Sequence, residues 1–66
     1  MAMIKVIEVL ANSNKSWEDA AANAVATAAH TVHNIKSIYI KEFEATVSND
    51  KISEYRINAK ISFMLD

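Results

Sequence analysis

The stretch Glu54–Leu65, EYRINAKISFML, alternates apolar and polar residues almost without interruption. Tyr55, Ile57, Ala59, Ile61, Phe63 and Leu65 share one parity; Arg56, Asn58, Lys60, Ser62 and Met64 share the other. Successive side chains of an extended backbone point to opposite faces, so this is a long β-strand with one apolar side. In a chain of 66 residues, something must cover that side.

Working backwards, Asn49–Lys51 (NDK) carries turn chemistry suited to a hairpin. Before it, Ser37–Ser48 (SIYIKEFEATVS) reads as a partner strand with a broken pattern. Ile38 and Ile40 lie on one parity, and Tyr39, Phe43, Ala45 and Val47 on the other. That mixture points to burial on both faces or to a bulge. Tyr39 and Phe43 are expected against the helix, with Ile38, Ile40 and Met64 on a second surface. Ile4–Leu10 (IKVIEVL), rich in β-branched residues, is a first strand, and ANSNKS a polar connection.

Ser16 is a good helix N-cap, and Glu18 and Asp19 suit the positive first turn. Trp17, Ala20, Ala21, Ala24, Val25, Ala28 and Val32 then form one apolar stripe at helical spacing. The stripe is mostly alanine, which lets a helix lie close on a sheet with Trp17 as its bulky anchor. His30, His33 and Asn34 mark its end, where asparagine tolerates a left-handed conformation. The expected order is β-α-β-β, an α+β fold in a single domain, 1–66.

A helix of about 16 residues is roughly 24 Å long, whereas a strand of about 13 residues spans about 43 Å. One helix cannot cover such a hairpin along its length. Copies of the chain are therefore expected to bury the overhang.

Composition narrows the function. With 7 basic and 8 acidic residues, nothing draws the chain to nucleic acid or to an anionic membrane. No apolar run approaches a membrane span, and MAMIKVIEVL is too short and too charged for a signal peptide. Cysteine is absent, so disulfides and thiolate metal sites are out, and a cytoplasmic location is expected. Glycine is absent too, which removes phosphate loops, dinucleotide fingerprints and nucleophile elbows. No acid–base or nucleophile–base pair assembles, and the chain does not read as an enzyme.

Three segments carry a family resemblance: SWEDAAANAV (Ser16–Val25), TVHNI (Thr31–Ile35) and the strand from Tyr55 to Phe63. Together with the first strand they resemble the dodecins from Lys5 to Leu65. The resemblance implies a three-stranded antiparallel sheet wrapped around one helix, and twelve copies, with trimers as building blocks, in a hollow homododecamer. In flavin-binding members it implies a tryptophan–glutamine pair that holds the ring of FMN or riboflavin for storage. At those two positions this sequence has Ser37 and Arg56. Serine cannot stack on a ring, whereas arginine can stack, donate hydrogen bonds or bind phosphate. The pair resembles a branch without the flavin sandwich, among which a calcium-binding member is known. Two readings follow: a shell that sequesters flavin, or another flat aromatic or phosphate-bearing ligand, near Ser37 and Arg56; or a shell that has lost the flavin pocket and holds calcium or another cation, or serves a structural or partner-binding role.

Individual residues admit plainer roles. Trp17 reads as a core or interface anchor. Arg56 has Glu42, Glu44 and Glu54 as candidate ion-pair partners within or between copies. His30 and His33 read as surface residues. Glu42, Glu44 and Asp50 supply oxygens for a cation where subunits meet.

Overall fold

The computed structural model describes residues 3–65, in the order β1 (Met3–Ser13), α1 (Trp17–Ala28), β2 (Ile35–Ser48) and β3 (Lys51–Leu65). One antiparallel sheet is formed in the order β1-β3-β2, so the alternating strand is its centre. Its register runs from Met3 opposite Leu65 to Ser13 opposite Tyr55, and from Ile35 opposite Phe63 to Ser48 opposite Lys51.

The parity of β3 decides the faces. Ile57, Ala59 and Ile61 are fully buried, and with Ala20 of the helix they make up the buried apolar core among the described residues. Val9, Ala11, Trp17, Ala21, Ile38 and Ile40 pack around it, partly exposed. Residues directly opposite one another on paired strands share a face. Ile38, Ile40, Phe43 and Ala45 therefore lie with Ile61, Ala59, Ile57 and Tyr55 on the helix side. Tyr39, Glu42 and Glu44 lie with Lys60, Asn58 and Arg56 on the far side.

This corrects the expected placement of β2. Ile38 and Ile40 are core neighbours, not part of a second surface, and Tyr39 is 64% exposed away from the helix. The cause is a register shift between Ile40 and Glu42, where Lys41 is the extra residue and parity inverts after it. Phe43 is on the helix side as expected and reaches Trp17 edge-on at 5.8 Å, yet remains largely exposed.

The helix is also shorter than its stripe suggests, 12 residues instead of about 16. Ser16 caps it, its hydroxyl accepting from Asp19 N at 2.9 Å. At the other end His30, Thr31 and Val32 are weak helix formers. The chain closes there with His30 N to Thr27 O and Thr31 N to Ala28 O, the tighter bonds of a terminating turn. Asn34, at φ 61°, then redirects it into β2. The first strand is longer than expected: Ala11, Asn12 and Ser13 pair with β3 and do not form a loop. Ser13 is buried because its Oγ donates to Asp19 Oδ2 at 2.6 Å and accepts from Lys15 N at 2.9 Å, joining strand end to helix start.

These changes widen the mismatch between lid and sheet. Twelve helical residues span about 18 Å, whereas β3, with 15 residues, spans about 50 Å. The molecule measures 52 × 20 × 13 Å with a radius of gyration of 13.5 Å; a compact chain of this length would have about 11 Å. Its accessible surface is 4878 Å², against about 4,200 Å² for a self-contained monomer of this mass.

Candidate functional site

The far face of the sheet bears the polar side chains that can bind something. Near its middle a concavity of about 360 Å³ is lined by Leu10, Glu42, Phe43, Glu44, Arg56 and Asn58. Arg56 sits there on the central strand between Asn12 of β1 and Glu44 of β2. Its Nε donates to Asn12 Oδ1 at 3.0 Å and its Nη1 to Glu44 Oε1 at 3.5 Å, an ion pair open to solvent. Of the three carboxylates considered for Arg56, Glu44 is the one that pairs with it. Asn58 Nδ2 donates to Glu42 Oε1 at 3.4 Å, and Asn58 Oδ1 is buried with no hydrogen-bond partner among the described residues. Farther along, Lys41 pairs with Glu8 across 3.7 Å, bringing the extra residue of the bulge onto the same face.

Ser37 lies elsewhere on that face. It is exposed, and its hydroxyl shares a hydrogen bond with Ser62, its partner on β3. Ser62 is six residues from Arg56, about 20 Å along an extended strand. Within one chain, Ser37 and Arg56 are not brought together.

The indole belongs to the opposite side of the sheet. Trp17 Nε1 donates to the backbone carbonyl of Glu44 at 2.9 Å. Its ring meets Tyr55 at 4.9 Å and Phe43 at 5.8 Å, both edge-on. It is the anchor that the sequence suggests, pinning the helix start to the strand whose Glu44 side chain holds Arg56. His30 and His33 are exposed beyond the helix. Among the described residues, no group of three or more His, Asp or Glu side chains is placed to hold a metal ion.

Tyr39 was not singled out by the alternation as a far-face residue. It stands two residues from Ser37 with its ring in solvent, opposite Lys60. Its signal is hidden by the bulge, and only pairing against β3 reveals its side.

Comparison with known proteins gives a consistent result. A family model described as Dodecin matches residues 3–66. Calcium dodecin of Mycobacterium tuberculosis is 35% identical over 65 residues, covering 98% of this chain and 92% of that protein. The crystal structure of the M. tuberculosis calcium-chelating immunodominant antigen, calcium dodecin, described with a novel calcium-binding site, superposes with a TM-score of 0.83 at 37% identity, over 97% of this chain and 91% of that one. A mutant of T. thermophilus dodecin superposes with a TM-score of 0.95 at 24% identity, over 100% and 98% of the two chains, a likeness of fold.

Proposed function

The chain belongs to the dodecin family, and on that premise we propose that it is a non-enzymatic binding protein: a homododecameric shell, built from trimers, that holds a cation of the calcium type between its subunits. The observation that carries this is the far-face concavity, where the carboxylates of Glu42 and Glu44 stand beside the buried, unpartnered Oδ1 of Asn58. Calcium takes six to eight oxygen ligands at about 2.3–2.6 Å. One concavity offers part of such a set, and a neighbouring copy would complete it. The M. tuberculosis relative carries calcium in its name, which supports the same reading.

Flavin storage is the second reading, and Tyr39 keeps it alive. Ser37 offers no ring, and Trp17 is engaged on the helix side, but Tyr39 presents an open face beside Ser37. A flat aromatic ligand bound near Ser37 in one copy and Arg56 in another would use that ring.

A paired titration separates the two. Calorimetry with calcium is expected to give saturable binding, and riboflavin is expected to keep its fluorescence in the presence of micromolar shell. No calcium heat together with flavin quenching that Tyr39→Ala abolishes would establish the second reading in place of the first. The cytoplasm suits either role.

A further inference from the structure

Arg56 is a cation in a concavity that two carboxylates share. Its Nε and Nη1 are both committed, to Asn12 and to Glu44. Glu42, held by Asn58, lines the same hollow. The charges there, one guanidinium against two carboxylates, leave a net negative lining. A phosphate needs the forked N–H edge of an arginine unobstructed and the surrounding potential positive. Here the fork is occupied on one prong and the potential has the opposite sign.

We infer that Glu44 is the charge-selectivity residue of this concavity: by neutralising Arg56 it shuts out phosphate-bearing ligands, nucleotide cofactors among them, and leaves the hollow to cations and neutral molecules. The inference concerns which ligands are refused, and it does not rest on calcium being the one accepted. Glu44 is well placed for a clean test. Its backbone carbonyl takes the Trp17 indole bond, so the fold uses its peptide while the selectivity uses its side chain. Removing the charge therefore leaves the anchor of the helix in place.

The test titrates inorganic phosphate into the assembled protein at low ionic strength, following the Arg56 Nε–H resonance and the binding heat. Glu44→Gln is expected to bind phosphate about ten-fold more tightly than wild type, a gain that corresponds to about 1.4 kcal/mol. Glu42→Gln, farther from the guanidinium, should give a smaller gain. The double variant Glu44→Gln/Arg56→Gln should return to the wild-type level. Equal phosphate affinity in wild type and Glu44→Gln overturns the inference, as does a gain that survives loss of Arg56. Should Glu44→Gln fail to assemble, Glu44→Ala carries the test, and an unchanged affinity there overturns the inference equally. The calcium titration of the wild-type shell is a separate readout, so the cation reading can fail while this one stands.

Discussion

At the scale of single residues, the helix is placed by two small constructions at its start. Ser13 is buried and satisfied from both sides, by the Asp19 carboxylate and by the Lys15 amide. Replacing it with alanine strands the Lys15 backbone N–H at a partly buried site and leaves Asp19 Oδ2 with Asn23 Nδ2 as its side-chain donor, a loss of about 1–3 kcal/mol. Ser13→Ala should therefore lower the stability of the assembled protein by that amount in urea unfolding at fixed concentration. A change below 0.5 kcal/mol, about the noise of an ordinary surface substitution, would show that the hub is ornamental. Serine at this position was legible only as part of a polar connection, because a strand's last residue and a loop's first look alike in sequence. Ser16 as cap, by contrast, was readable outright, since Ser followed three residues later by Asp is a local pattern that needs no tertiary knowledge.

Elements show where sequence periodicity suffices and where it fails. The central strand was readable because its alternation is nearly continuous and burial follows parity from Ile57 to Ile61. The second strand was not, because one extra residue at Lys41 inverts the parity halfway, and nothing in the residue types marks the position. Tyr39, the exposed ring beside Ser37, changed sides for that reason alone. The hairpin turn was plain: Asn49 and Asp50 sit at φ 54° and 64°, the positive values a two-residue turn between right-twisted strands demands. Without glycine in the chain, asparagine and aspartate are the tolerated substitutes. Asn49→Val, branched at Cβ and disfavoured at positive φ, should cost about 1–2 kcal/mol, while Asp50→Gly should be neutral or stabilising. Thermal unfolding of both variants beside wild type checks the pair; a harmless Asn49→Val would mean that the turn relaxes to another geometry.

For the whole molecule, the decisive quantity is the disparity between a sheet about 50 Å long and a helix that covers about a third of it. Among the described residues nine large apolar side chains stay exposed in the single chain, Val6, Leu10, Phe43, Val47 and Ile52 among them. Small domains without disulfides seldom remain folded with so little buried, and in the proposed shell sister copies would supply the missing contacts. This disparity was legible from the sequence in kind, since helix and strand lengths follow from periodicity. The candidate site was legible only in its residues. Arg56 could be named, but that it stands between Asn12 and Glu44, and about 20 Å from Ser37, depends on register. The mass of the particle in solution, read by light scattering with native mass spectrometry, tests the account most directly. It predicts a species of about twelve times the 7.3 kDa chain that persists at micromolar concentration. A folded monomer of 7.3 kDa under the same conditions contradicts it.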